Sequence, residues 1–152
     1  MKIFQDTKEK QGWFFEPDQI CIGTERKRIY PGDYMIEGFE DKFSIERKSS
    51  VGEIAKNFTQ DWFKREMKDL TAIEHSFVIC EFSYTDVLNY PHSLRAPKKV
   101  IDKVRLRPAF LKACINAIRL KCKTQFIFAG TRDAAMDIAY DLMKRTYEHY
   151  QS

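Results

Sequence analysis

The chain has 152 residues, 43% of them hydrophobic and 14% aromatic, which is enough apolar sequence for one globular core. Its 26 lysines and arginines exceed its 22 acidic residues by a net charge of +4, a small excess that permits a polyanionic partner without requiring one. Four scattered cysteines exclude a disulfide framework and a CxxC-type zinc site. No apolar run reaches the roughly 20 residues of a membrane span, so we expect no membrane association and, by default, a cytoplasmic protein.

Short extended segments fill the first thirty residues. Residues 2–6 predict a first strand, and residues 20–22 and 28–30 predict a hairpin or a strongly bent strand pair around the charged segment between them. The aromatic run at 13–15 lies between these strands.

Residues 34–38 and 42–48 predict two further strands. Side chains alternate between the two faces of a strand, so Glu46 and Lys48 lie side by side, opposite the face that carries Ile45. Acidic residues and lysine are depleted in strands, so their presence here asks for a reason beyond folding.

Helical spacing begins at Val51 and continues to Ile73, with an inward stripe that includes Trp62 and a change of phase near Thr59 that predicts a bend. The apolar run 77–82 is typical of a central strand covered on both faces by helices.

The last third of the chain also alternates between helical and strand-like segments. Residues 90–108 contain three prolines and predict a loop or arm, which ends where Pro108 begins a helix. Residues 125–130 predict another buried strand, and Thr131 is suited to cap the final helix. The elements together predict an α/β fold, a central mixed sheet flanked by helices on both faces.

Asp33, Glu46 and Lys48 form a set suited to phosphodiester hydrolysis. Carboxylate oxygens hold Mg²⁺, which keeps several waters and binds phosphate oxygens, while a lysine can offset charge that builds on the phosphoryl group. A D…ExK pattern is common by chance, however, and an exposed hairpin would carry the same residues.

The residues around this set resemble the nuclease domain of the XPF type, a branch of the restriction-endonuclease-like PD-(D/E)xK superfamily. The family motif is GD followed by ERKxxxD, and this chain has Gly32 and Asp33 and then Glu46, Arg47 and Lys48. Upstream, "DTKE" at 6–9 is similar to the family's DxRE. Downstream, "WFKREMKDL" with "FVICEFS", and "FIFAGTRDAAMDIAYDLM", look like later family elements, so the resemblance covers nearly the whole chain.

The resemblance implies a Mg²⁺- or Mn²⁺-dependent DNA endonuclease with a restriction-endonuclease-like fold. It implies that Asp33 and Glu46 are the principal metal ligands, that Asp6 and Glu9 assist metal or substrate placement, and that Lys48 is the catalytic lysine. Action at branched, flapped or fork DNA, in repair, recombination or phage DNA metabolism, is part of the same expectation.

The chain departs from the family pattern at two positions. The motif's last acid should fall at position 52, where this chain has Gly52, and Glu53 takes that role only if the helix start is shifted. Lys8 replaces an arginine and lacks its planar, bidentate donor fork. Arg47 lies on the strand face opposite Lys48, where pairing with an acid under the sheet and DNA contact are both open interpretations.

Positive charge is concentrated in the proline-broken arm. Phosphate contacts there would give salt-sensitive, sequence-independent DNA affinity, although a solvated loop would have the same composition. The basic residues are Arg95, Lys98, Lys99, Lys103, Arg105 and Arg107. Trp13, Phe14 and Phe15 could stack on an unpaired base, with core packing as the alternative for at least two of them.

Residues 1–152 are expected to form a single nuclease domain without the helix-hairpin-helix module that commonly follows it in the family. The resemblance also implies a homodimer or heterodimer through this domain. A stand-alone domain suits a phage or bacterial nuclease, with nuclear localisation if the source is eukaryotic. A catalytically silent scaffold that binds DNA or a protein partner, and an RNA nuclease on the same fold, remain open.

Overall fold

A computed structural model describes all residues from Met1 to Ser152. Its centre is a mixed six-stranded sheet in the order β2-β1-β3-β4-β5-β6. The strands are β1 (Lys2–Gln5), β2 (Gly23–Arg26), β3 (Tyr34–Ile36), β4 (Phe43–Lys48), β5 (His75–Cys80) and β6 (Gln125–Phe128). β3 is antiparallel to both of its neighbours, β1 and β4, whereas β4, β5 and β6 run parallel.

Helices cover both faces of the sheet, as the sequence predicted. They are α1 (Val51–Asn57), α2 (Asp61–Leu70), α3 (Tyr84–Leu88), α4 (Lys98–Ile101), α5 (Pro108–Lys121) and α6 (Arg132–Gln151). One core packs α6 and the segment around Trp13 against Ile3, Tyr34 and Ile45. The other packs α1, α2, α3 and α5 against Val78 and Cys80. No helix has both the length and the apolar character needed to cross a membrane.

The predicted bend in the first helical region is a complete break. Gln60 has an extended backbone (φ −113°, ψ 129°), which separates α1 from α2. The break changes the direction of the apolar stripe, so Phe63 is fully buried but Trp62 remains 42% exposed. The expectation that Trp62 points inward is therefore wrong.

The hairpin predicted over 20–30 is also wrong. Residues 23–26 form β2, which pairs in parallel with β1. The following segment turns away because the backbone N–H of Ile29 donates to the Asp6 carboxylate at 3.0 Å. A side chain on a neighbouring segment therefore takes the backbone donor that a hairpin would have used.

Among the later predicted elements, β6 differs in degree from its prediction. β5 is central and buried from Ser76 onward, as expected. β6 is the edge of the sheet rather than a buried strand, and its residues from Phe126 to Phe128 are only half-buried, because no strand lies beyond them. Thr131 caps α6 as predicted, with its hydroxyl accepting a hydrogen bond from the Ala134 N–H at 3.1 Å.

Candidate active site

The turn before β3 places Asp33 beside β4. Gly32 has a positive φ of +94°, and a Cβ at that position would collide with the Ser44 side chain. The Asp33 N–H donates to the Ile45 carbonyl at 2.7 Å, and the Arg47 N–H donates to Asp33 Oδ2 at 2.7 Å. Backbone contacts on both sides therefore fix the carboxylate of Asp33 against β4.

Glu46 and Lys48 lie together on the face of β4 that meets Asp33, as strand alternation predicted. Their side chains form an ion pair with Lys48 Nζ 3.2 Å from Glu46 Oε1, and both residues are at least 95% buried. Lys48 Nζ also lies 4.8 Å from the ring centre of Phe63. Burial opposes the charge of Lys48, but the carboxylates of Glu46, Glu53 and Asp33 more than offset it and raise its pKa. Lys48 is consequently a cation at neutral pH.

The carboxyl groups of the site are unusually basic. Burial raises the pKa of Asp33 to about 6. Burial and the charge of Asp33 raise the pKa of Glu46 well above its usual range. Glu9 has a pKa raised to about 7, mainly by burial and then by the charge of Asp33. Burial is the largest cause of the raised pKa in all three carboxyl groups, and the charge of Asp33 adds to it for Glu46 and Glu9.

The raised pKa values of these buried carboxyl groups predict the pH dependence of stability in EDTA. The folded-state pKa values of Asp33 and Glu9 exceed their unfolded values, so their contribution is fully present below about pH 4 and is lost as the pH rises towards 7. We expect Asp33→Asn to remove on the order of 3 kcal/mol of that loss, since its pKa rises from 3.8 to about 6 and one pKa unit corresponds to about 1.4 kcal/mol. Urea unfolding from pH 4 to 8 measures it.

The matched control is Asp137→Asn, which neutralises an exposed acid on α6. It should leave the pH profile of the wild type unchanged. A profile in which Asp33→Asn falls as steeply as the wild type between pH 4 and 7 would show that burial does not raise the pKa of Asp33 in the folded protein.

The donor set fits a divalent cation. Glu46 Oε2 is buried and has no hydrogen-bond partner, and it belongs to a residue that is 4% exposed. Burying a carboxylate oxygen without a hydrogen-bond donor costs folding free energy, unless a cation binds to that oxygen. Asp33 and Glu46 supply the one or two carboxylates that Mg²⁺ takes alongside water and phosphate oxygens. No three acidic, histidine or cysteine side chains converge as a complete metal cage.

Asp6 and Glu9 lie close to this pair but are already engaged. The Asp6 carboxylate accepts from the N–H groups of Ile29 and Lys8, at 3.0 and 3.1 Å, and it lines a cavity shared with Asp33 and Glu46. Glu9 Oε2 lies 3.2 Å from Arg47 Nη1, while Glu9 Oε1 is buried without a partner. Asp6 therefore orders the loop beside the site, and Glu9 keeps one oxygen free for a cation or water.

Arg47 points to the opposite face of β4. Its Nε donates to Glu81 Oε2 at 2.8 Å, and Glu81 also accepts from Trp13 Nε1 at 2.7 Å. Arg47 and Glu81 are both about 8% exposed. This arrangement favours the structural interpretation of Arg47 over direct DNA contact.

Glu53 lies at the start of α1. Its N–H donates to the Ser50 hydroxyl at 3.1 Å, and its carboxylate accepts from Ser49 and lies 3.8 Å from Lys48 Nζ. The one-residue displacement from Gly52 therefore still brings an acid to the lysine. The acid is more exposed than Glu46, with 39% of its side chain accessible.

The basic arm, residues 90–108, begins beside α1. A Cβ at Gly52 would lie 3.2 Å from Leu94, so the beginning of the arm packs against the helix that carries Glu53. The basic side chains of the arm, which are Arg95, Lys98, Lys99, Lys103, Arg105 and Arg107, are all exposed. None of them lines the acidic cavity itself.

The structure adds residues on α2 that the sequence did not single out. Glu66 Oε1 accepts from the Gly32 N–H at 3.0 Å, and Trp62 and Arg65 line the cavity with it. The signal in the sequence was the spacing of Trp62 and Glu66, which at i and i+4 share a helix face. Trp13 and Phe15 are buried in the core, and Phe14 is exposed but lines neither cavity that contains Asp33 and Glu46.

Comparison with solved structures identifies the fold. XPF from Aeropyrum pernix superimposes with a TM-score of 0.64 at 15% identity, over 97% of this chain and 61% of that chain. The chain has an XPF-like fold. XPF from Aeropyrum pernix in complex with DNA superimposes with a TM-score of 0.62 at 16% identity, over 97% of this chain and 65% of that chain.

The XPF-like fold confirms the fold class and the resemblance read from the motifs. The chain spans less than two thirds of the length of these XPF chains. No family model and no curated protein matches the sequence.

Proposed function

We propose that the protein is a metal-dependent endonuclease that hydrolyses phosphodiester bonds in DNA. The observation that carries the proposal is the arrangement of Asp33, Glu46 and Lys48 at the central strands β3 and β4 of an XPF-like sheet. Glu46 Oε2 is buried there without a hydrogen-bond partner. A site with only a structural role would be expected to satisfy its buried carboxylates fully, whereas Glu46 and Glu9 each keep one buried oxygen without a partner.

Asp33 and Glu46 would hold the cation, Mg²⁺ or Mn²⁺, with Glu9 and Asp6 beside them. When bound, such an ion polarises a phosphoryl oxygen and lowers the pKa of a water molecule. Lys48 stays protonated beside these acids and can stabilise the negative charge that develops on the phosphate. Glu53, 3.8 Å from Lys48, helps to hold the ammonium group in position.

DNA is the proposed substrate. One of the two XPF structures contains DNA. This chain superimposes on that structure over 97% of this chain's residues. The basic arm supports the proposal, because its exposed lysines and arginines follow Leu94, which packs against Gly52 on α1. Cleavage at branched, flapped or fork DNA, in repair, recombination or phage DNA metabolism, belongs to the proposal.

The test compares labelled duplex, single-stranded, flap and fork DNA, with an RNA strand as a further substrate. Each is incubated with Mg²⁺, with Mn²⁺ and with EDTA, using the wild type, Asp33→Asn and the surface control Asp137→Asn. We expect metal-dependent cutting of DNA that Asp33→Asn abolishes and Asp137→Asn retains. Cutting of RNA alone would assign an RNA nuclease, and a folded protein that cuts nothing would favour a binding scaffold.

The basic arm is expected to bind the DNA backbone. Replacing Lys98, Lys99 and Lys103 together by Ala should weaken DNA binding and reduce the slope of log K against log [salt] by about 2 to 3, because each phosphate contact contributes about 0.9. Fluorescence anisotropy over a salt titration measures the slope. Replacing Lys112, Lys121 and Lys123 on and after α5 removes the same charge elsewhere. Equal slopes for the two triple variants would exclude the arm from the DNA-binding surface.

We further propose that two copies, or this chain and a related one, associate through β6 and the adjoining helices. β6 is an unpaired sheet edge whose aromatic residues Phe126 and Phe128 are half-buried, and Leu120 on the adjoining α5 is 87% exposed. Sedimentation equilibrium would show a dimer that Leu120→Lys weakens. A monomer at all concentrations would exclude the homodimer.

A further inference from the structure

A cavity of about 440 Å³ opens beside the acidic residues, between the turn before β3 and the first turns of α2. Asp33 and Glu46 line this cavity together with two further acids, Asp6 and Glu66. Its other walls carry two aromatic residues, Tyr30 and Trp62, and two cations, Lys8 and Arg65. The volume lies within the range of cavities that hold a small organic ligand.

The two aromatic side chains are accessible and held in place. Trp62 is 42% exposed, packs edge-on against Phe63 with ring centres 5.8 Å apart, and has Lys48 Nζ 5.9 Å from its ring centre. Tyr30 is 56% exposed, and its hydroxyl donates to Asp69 Oδ2 on α2 at 2.6 Å. Neither ring is needed for the core, and both are ordered at the wall of the cavity.

We propose that this cavity binds one unpaired nucleotide of the DNA strand, with its base against Trp62 and Tyr30 and a phosphate towards Asp33 and Glu46. Every base has a π-face that stacks on an aromatic ring. A base inside a duplex already stacks on its neighbours and cannot present that face without leaving the helix. Lys8 and Arg65 can each donate to a phosphate oxygen of the same strand.

The proposal rests on the proposed nuclease function for the phosphate end, since the acids would repel a phosphate without a divalent cation. The aromatic end can be tested separately. The chain has two tryptophans, and Trp13 is fully buried, so a ligand that stacks on Trp62 changes the emission of an identified residue. Binding can be followed in Ca²⁺ as well as in Mg²⁺, with strand integrity checked on a gel.

The experiment titrates a short oligothymidylate into the protein in Ca²⁺. We expect quenching of tryptophan emission that is lost in Trp62→Phe, which retains only Trp13. By anisotropy with a labelled oligothymidylate, Trp62→Ala and Tyr30→Ala should each weaken binding by roughly 5- to 150-fold, the range for loss of one base stack. Phe14→Ala removes a ring that is 58% exposed but lies outside the cavity, and should bind as the wild type does. A blunt duplex should not quench Trp62.

Three results would overturn the proposal. They are oligothymidylate binding without quenching, affinity in folded Trp62→Ala within twofold of the wild type, and equal quenching by the duplex. Failure of the nuclease proposal is distinguishable, because quenching without cleavage of any substrate would keep the nucleotide cavity and reject the enzyme. Cleavage without quenching would keep the enzyme and reject the cavity.

Discussion

Replacing Lys48 by Met is expected to slow metal-dependent DNA cleavage by about 100- to 1,000-fold, the usual loss when one charge-stabilising donor is removed from an active site. Methionine is unbranched and retains contact with Phe63 and Trp62, so the variant removes the charge with little change in packing. Single-turnover cleavage at saturating Mg²⁺ isolates the chemical step. Calorimetric titration with Mn²⁺ should show that the cation still binds.

The effect of this substitution on stability separates its structural and catalytic roles. Without Lys48, Glu46 loses the counter-ion 3.2 Å away. The metal-free variant should therefore be less stable than the wild type at neutral pH, because an ionised Glu46 would be buried without a positive charge beside it. A bound cation restores positive charge beside Glu46 and should recover much of the loss. Lys42→Met removes an exposed lysine just before the same strand and should leave cleavage unchanged. Cleavage by Lys48→Met within fivefold of the wild type would remove the lysine from the catalytic set.

The part of the site carried on β4 could be predicted from the sequence because its geometry is local. Strand alternation alone places Glu46 and Lys48 on one face and Arg47, with Ile45, on the other. The motif resemblance then connects Asp33 to this strand. Local periodicity also located α1, α2, α5 and α6, including the bend at the end of α1, but it missed the short helix α4 in the segment predicted to be a loop or arm.

The remaining parts depend on contacts between distant segments. β2 became a parallel strand beside β1, and the Asp6 carboxylate took the Ile29 N–H, which no local pattern in residues 20–30 reveals. Glu66 reaches Gly32 across 34 positions of sequence. The exposure of Trp62 followed from the break at Gln60, because a continuous helix would have turned that side chain inward.

Replacing Arg47 by Met is expected to destabilise the protein by about 3 to 5 kcal/mol, the usual cost of removing one partner of a buried ion pair. The guanidinium group pairs with Glu81 at 2.8 Å and with Glu9 at 3.2 Å, and each of these side chains is at most 12% exposed. Loss of Arg47 would leave Glu9 without its counter-ion, and Glu81 with only the half-exposed Arg132, whose Nη1 lies 3.6 Å from Glu81 Oε2. Burial already raises the pKa of Glu9 to about 7, and removal of the positive charge should raise it further. Urea denaturation at pH 8 measures the loss.

A second variant separates this electrostatic cost from the loss of packing. Glu81→Gln keeps an oxygen that can accept from Trp13 Nε1 but removes the negative charge that Arg47 balances. In the double variant Arg47→Met with Glu81→Gln, the amide needs no counter-ion, so the double variant should be more stable than Arg47→Met alone. If Arg47→Met instead loses less than about 1 kcal/mol while DNA affinity falls, the guanidinium group contacts DNA rather than supporting the sheet. A large loss of stability with recovery in the double variant would assign Arg47 to the framework beneath β4, where it balances Glu81 and Glu9.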